Sequence, residues 1–149
     1  MKILFVTSPG GHLAQLLSLK SWWEKHDREW VTFQQPEVTS SLNGERITWA
    51  HFPTTRNIGN AIRNFWLAWP TLRRSRPDVV VSNGAGVSVP FFIVCKLLRI
   101  RTVYIECFDR ITLPTISGTI CYPLSDLFCV QWDEQKRFYP AAVNIGHLL

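Results

Sequence analysis

Residues 2–19, KILFVTSPGGHLAQLLSL, change hydrophobic period partway along, and that change decides the fold. Ile3-Leu4-Phe5-Val6 is a continuous apolar run without polar alternation, which suits a strand covered on both faces. Thr7-Ser8-Pro9-Gly10-Gly11 stops the strand. From His12 the apolar residues Leu13, Leu16 and Leu17 recur at helical spacing, a pattern that extends to Trp22-Trp23. A buried strand handing over to a helix through Gly-Gly opens a strand–helix–strand unit.

The same alternation continues along the chain. Residues 29–34 (EWVTFQ) and 46–52 (RITWAHF) read as strands, with the polar residues 35–44 between them as loop. Residues 57–76 are helical, with Ile58, Ile62, Phe65, Trp66, Trp69 and Leu72 spaced by three or four and Pro70 expected to kink or end the helix. Val79-Val80-Val81 is a short buried strand, followed by Asn83-Gly84-Ala85-Gly86 and an apolar helix over 88–98. Residues 101–106 (RTVYIE) give the next strand, 116–124 a helix and 127–131 a last strand. No internal repeat or low-complexity linker interrupts residues 1–149, which read as a single α/β domain. Right-handed crossovers make it a Rossmann-like, doubly wound parallel sheet. The loops Pro9–His12, Asn83–Gly86 and Glu106–Arg110 then meet at the carboxyl edge of the sheet, where such folds bind ligands.

Composition narrows the chemistry. The 149 residues are 46% hydrophobic and 18% charged, as in a globular chain. Sixteen Lys and Arg against eleven Asp and Glu leave a net charge of +5, which favours anionic partners. The arginines do not alternate along a strand face, which argues against nucleic acid. Cys95, Cys107, Cys121 and Cys129 form no C-x-x-C pair and sit in or beside apolar runs, so they read as buried free thiols and not as a zinc site. The apolar run at 3–6 is too short for a signal peptide, and residues 87–95 are too few to span a membrane.

The glycine loops carry the chemistry. A Gly-Gly turn lets backbone approach a ligand, and the helix behind it presents unpaired N–H groups and a partial positive charge to a phosphate or diphosphate. The alternative is a tight turn without a ligand. Neither G-x-G-x-x-G nor G-K-[ST] is present. A second loop, SNGAGVSVP (82–90), repeats the arrangement, and two such loops on one edge favour a diphosphate site. His12 stands at the first turn beside that anion, as general base or as neutral donor to phosphate. Glu106 ends a buried strand, as acid/base, as hydroxyl acceptor or as a structural partner of Arg110.

The segments VTSPGGHLAQLL (6–17), DVVVSNGAGVSVP (78–90) and VYIECFDRITLPTISGTICYPLSDLFCVQW (103–132), in that order, resemble one family. It is that of the acceptor-side, membrane-anchoring subunits (ALG14/PssD type) of bipartite UDP-sugar glycosyltransferases. More distantly the chain is similar to the N-terminal half of MurG. The resemblance implies half of a GT-B enzyme, completed by a donor-binding subunit of PssE/ALG13 type, with the UDP-sugar at the subunit interface. It implies an acceptor sugar on a lipid diphosphate, in exopolysaccharide or capsule synthesis. By the match, Gly10, Gly11 and His12 take the first glycine-loop position, Asn83, Gly84 and Gly86 the second, and Glu106 the acidic position after the fifth strand. His12 and Glu106 are then the catalytic candidates, and the other five bind the acceptor diphosphate. No D-x-D motif is present, and the scheme needs neither metal nor cofactor.

Eukaryotic members begin with a hydrophobic anchor, whereas this chain begins with its first strand, so the expected attachment is peripheral, on the cytoplasmic face of the cell membrane. Residues 56–77, RNIGNAIRNFWLAWPTLRRSRP, offer the means: Trp66 and Trp69 among Arg63, Arg73, Arg74 and Arg76 suit an anionic interface. The competing reading is a core-facing helix. A second functional reading is a non-catalytic partner that recruits and stabilises the donor-binding subunit. A third, a nucleotide enzyme acting alone, lacks the acidic ribose contact after the second strand.

Overall fold

Strand β1 (Lys2–Val6) pairs on one side with β2 (Asp27–Thr32) and on the other with β4 (Val79–Ser82), all parallel. In the computed structural model, which describes residues 1–149, these belong to a seven-stranded sheet. Outside β2 lies β3 (Ile47–Trp49); beyond β4 lie β5 (Arg101–Ile105), β6 (Leu127–Val130) and β7 (Val143–Asn144). Every pairing is parallel and the order is β3-β2-β1-β4-β5-β6-β7, so the fold is the Rossmann-like one expected.

Helices cover both faces because alternate residues of β1 point opposite ways. Ile3 and Phe5 pack with Trp30 against α1 (Gly11–Leu17), α2 (Lys20–Trp23) and α3 (Pro36–Ser41). Leu4 and Val6 face α4 (Ile58–Ser75), α5 (Ser88–Leu98) and α6 (Ile116–Cys121). Each such side chain gains about 1.5–3 kcal/mol by leaving water. A one-residue slip of β1 would exchange its two faces, so the register is strongly specified. The chain winds outward from β1 in both directions, and the reversal opens a crevice at the carboxyl ends of β1 and β4.

Several local expectations change. The helix read over 12–23 breaks at Ser18-Leu19, where Ser18 Oγ donates to the Gln15 carbonyl at 2.6 Å and Trp23 Nε1 to the Leu16 carbonyl at 2.9 Å. Those side chains take acceptors that a continuing helix would use. Residues 35–44 are not all loop: Pro36 begins α3, and Val38 and Leu42 bury on one face. Pro70 neither ends nor replaces α4, which continues to Ser75. The carbonyl it leaves without an N–H partner is that of exposed Trp66, within reach of water. Residues 116–124 form α6 followed by a 3₁₀ turn at Tyr122–Leu124. Two-residue β7 carries no periodicity to read.

All four cysteines are free and buried, as the sequence suggests. Burial pushes the thiols of Cys107 and Cys121 up to about 12, and those of Cys95 and Cys129 also rise. At pH 8 a thiol titrating near 12 is ionised in only about one molecule in 10⁴, and the thiolate is the reactive form. Iodoacetamide at pH 8 is therefore expected to leave the native chain unlabelled and to label all four positions after denaturation. Mass spectrometry of the two samples checks this; rapid native labelling would show an open thiol.

Candidate functional site

The first glycine loop opens outward. Gly10 has φ +79°, a left-handed conformation that favours glycine, and a Cβ on Gly10 or Gly11 would meet no atom within 4 Å. No side chain caps α1, so its first-turn N–H groups remain free for a ligand or water. His12 Nδ1 lies 2.9 Å from the Asn83 carbonyl oxygen. A carbonyl only accepts, so Nδ1 carries the proton, and the neutral ring is left with its lone pair on Nε2. The Cys107 sulfur lies 3.6 Å from Nδ1 and 3.9 Å from Nε2, which brings the β5 loop to the same imidazole.

The second loop is closed by protein. Asn83 is wholly buried; its Oδ1 accepts from Thr7 Oγ1 at 2.8 Å and its Nδ2 donates to the His12 carbonyl. Its side chain ties the two loops together and lies buried, away from the groove lining. At Gly84, with φ +117°, a Cβ would lie 3.0 Å from Tyr104 Oη and 3.2 Å from His12 Cε1. At Gly86 it would lie 2.8 Å from the Thr54 carbonyl oxygen. Glycine serves the first loop by leaving space and the second by letting protein in.

Glu106 is 0% exposed. Its carboxylate accepts from the Cys107 N–H at 2.9 Å, from Thr115 Oγ1 at 2.9 and 3.0 Å, from the Thr115 N–H at 3.3 Å and from Tyr139 Oη at 2.5 Å. Arg110 is exposed and makes no pair with it, contrary to that expectation. The Tyr139 hydroxyl is pushed up by burial and by the carboxylate beside it, so it remains a donor. Behind Glu106 sits a glutamine network absent from the sequence reading. Gln131 Nε2 donates to Gln15 Oε1 at 2.7 Å and to the Glu106 carbonyl at 3.0 Å, and Gln135 Nε2 to the Cys107 carbonyl at 2.8 Å. No spacing signal joins Gln15 to Gln131; only the sheet order does.

A groove of about 530 Å³ lies over this edge, lined by Ser8, Gly10, His12, Gln35, Thr54 and Gly86 among others. Gly11 is exposed beside Gly10, whereas Asn83, Gly84 and Glu106 are buried and absent from the lining. No Lys or Arg lines the groove and Glu37 does, so the donors it offers an anion are backbone N–H groups and uncharged side chains.

The cations lie elsewhere. Arg56, Arg63, Arg73, Arg74 and Arg76 are exposed on and around α4, and none forms an ion pair. The first half of α4 is inverted: Ile58, Ile62 and Trp66 are 78%, 55% and 67% exposed, while Asn60 and Asn64 are buried. The two tryptophans therefore separate. Trp66 faces outward, and Trp69 packs half-buried against the core.

The family described as "Oligosaccharide biosynthesis protein Alg14 like" matches residues 3–148. The chain belongs to this family. The Alg14-like relative from Homo sapiens, named UDP-N-acetylglucosamine transferase subunit ALG14, is 34% identical, with 100% of this chain and 83% of the relative covered. Two solved structures share the fold at low identity. UDP-N-acetylglucosamine 2-epimerase from Rickettsia bellii has a TM-score of 0.79 at 15% identity, covering 99% of this chain and 45% of that one. MurG from Acinetobacter baumannii has a TM-score of 0.74 at 14% identity, covering 90% and 43%. The Alg14-like chain thus spans less than half the length of those two structures.

The two glycine loops predict opposite responses to a methyl group. Gly84→Ala forces a strained φ and a crowded Cβ, and is expected to lower stability by about 2 kcal/mol or more. Gly11→Ala meets open space, and is expected to change stability by less than about 1 kcal/mol. Urea denaturation of both variants checks the difference; equal losses would show that the first loop is packed as tightly as the second.

Proposed function

We propose that this chain is the acceptor-binding subunit of a two-component glycosyltransferase. It acts with a donor-binding subunit to move a sugar from a UDP-sugar to a lipid-diphosphate-linked saccharide, in exopolysaccharide or capsule synthesis at the cytoplasmic membrane face. The observation that carries this is His12: its Nδ1 is held 2.9 Å from the Asn83 carbonyl oxygen, which selects the tautomer that places the neutral ring's lone pair on Nε2, beside a glycine loop open to a groove. Nε2 takes the proton of an acceptor hydroxyl as that oxygen bonds to the anomeric carbon, while the bond from that carbon to UDP breaks. Amide groups around Gly10 and Gly11 hold the acceptor diphosphate, with Gly86 in the same wall. Glu106 positions the loop from Cys107 to Thr115 and does not exchange protons with substrate, in keeping with its sealed carboxylate.

Attachment is peripheral in this reading. No helix is long and apolar enough to cross a membrane. The outward face of α4, with Ile58, Ile62 and Trp66 among unpaired arginines, suits an anionic interface: apolar side chains enter the headgroup region and guanidinium groups meet phosphate. Trp69 belongs to the core and takes no part in this contact.

His12→Ala is expected to lower kcat of the reconstituted pair by about 10²–10⁴-fold while sparing the fold. Glu106→Gln is expected to lower the denaturation midpoint, with a smaller effect on kcat. A chain that only recruits its partner would tolerate His12→Ala, and a change confined to the acceptor KM would make His12 a binding residue. In a separate test, Ile62→Ser with Trp66→Ser should abolish sedimentation with phosphatidylglycerol vesicles at unchanged stability. Trp69→Ser should instead destabilise by about 3 kcal/mol. Unchanged vesicle binding by the double variant would remove α4 from the membrane contact.

A further inference from the structure

The outer wall of the groove is formed by Phe52, Pro53, Thr54 and Thr55, and the sheet does not hold it. This segment follows β3, and His51, Phe52, Pro53, Thr55 and Arg56 are all exposed, so few apolar contacts hold the wall's backbone. Two asparagines of α4 reach it. Asn64, 0% exposed, grips both sides of one residue: its Oδ1 accepts from the His51 N–H at 2.8 Å, and its Nδ2 donates to the His51 carbonyl at 3.0 Å. One turn earlier, Asn60 Nδ2 donates to the Pro53 carbonyl at 2.7 Å. Asn57 caps the helix below them, accepting from the Asn60 N–H at 2.9 Å. The wall's inner contacts are lighter: Thr54 lies against Gly86, and Phe52 tilts against Phe33 at 5.3 Å.

A buried amide on a helix is an expensive way to fill space. Asparagine has low helix propensity, and its side chain must be fully bonded once out of water. Alanine or leucine would serve a face whose only task was packing, as Ala68 and Leu72 do further along α4. Asn64 and Asn60 lie four residues apart on one face, opposite Ile58, Ile62 and Trp66. One helix therefore presents an apolar stripe to the outside and fastens the groove wall on its other side.

We infer that Asn60 and Asn64 are positioning residues that mount the acceptor-side wall of the groove on α4. The wall and the outward stripe form one mechanical unit, so the groove has its working shape only while these two amides hold. The inference rests on the reading of the groove as an acceptor site. It adds that the wall's position, and with it acceptor affinity, is set from the surface helix and not from the sheet.

The test uses the full chain and two readouts. Asn64→Ala is expected to speed hydrogen exchange at the amides of residues 51–56 by about tenfold or more, and exchange in β1, β4 and β5 should stay unchanged. The dissociation constant for farnesyl-diphosphate-linked N-acetylglucosamine is expected to rise by about tenfold, with binding to phosphatidylglycerol vesicles unaltered. Asn60→Ala removes the Pro53 contact, with a long 3.5 Å one from Arg63 Nη1, and carries the same test with a smaller effect if Asn64→Ala does not fold. Faster exchange with unchanged affinity would overturn the inference, because the wall would then not matter to the acceptor. Unchanged exchange would overturn it from the other side, since the asparagines would not be holding the wall. Failure of the wild-type chain to bind the probe would instead remove the acceptor reading, and the exchange data would still decide whether α4 holds the wall.

Discussion

The side-chain amide of Asn83 joins two strand ends that are 76 residues apart in sequence, and most of the carboxyl edge depends on it. Its oxygen holds Thr7 at the end of β1 and its nitrogen holds the His12 carbonyl at the start of α1, while its own carbonyl receives the His12 ring. One residue thereby fixes the separation of the two glycine loops, the orientation of an imidazole and the ring nitrogen that keeps its lone pair. The arrangement is possible because β1 and β4 are neighbours at the point where the winding of the sheet reverses. Burial makes the knot strict, since an unpaired amide at this depth costs about 1–3 kcal/mol.

Charge is divided between two places. The groove is lined by backbone groups, one histidine and one carboxylate, Glu37, and the free arginines stand around α4. The separation is physically useful. Under the proposed function, amides in a groove without mobile cations fix a diphosphate in position, and long arginine side chains meet headgroups whose positions vary. The Glu106 carboxylate is likewise turned inward, where it gathers Thr115, Tyr139 and the Cys107 amide and so shapes the loop that leaves β5. A buried carboxylate with this many donors is a structural fixture.

At 14–15% identity the fold is shared with MurG and a UDP-N-acetylglucosamine 2-epimerase, so the architecture does not depend on most individual side chains. Apolar strands, crossover helices and a reversal of winding suffice for the architecture; what the edge does depends on which side chains fill it. In this chain Tyr104, Thr54 and His12 fill the space above the second glycine loop, and nothing fills it above the first.

Much of this was legible before any coordinate. Continuous apolar runs at 3–6 and 79–81, each followed by a glycine turn and a helical period, specify a parallel sheet with its loops on one edge, because a strand buried on both faces has no polar alternation. Motif resemblance added the family, and cysteine spacing the free thiols. Short elements escaped: α3 and its C-cap hide the Val38–Leu42 pair in a polar stretch, and β7 is too brief for any period. The direction of individual side chains escaped as well. Trp66 and Trp69 are three residues apart with equal hydrophobicity, and only the packing of α4 on the sheet sends one outward and the other to the core. Glu106 and His12 follow adjacent parts of one edge, but the alternation of β5 turns the carboxylate into the protein while the first turn of α1 leaves the imidazole at the groove. Periodicity along a chain records which residues avoid water; which polar group meets which partner depends on contacts between distant strands, and those exist only once the sheet has formed.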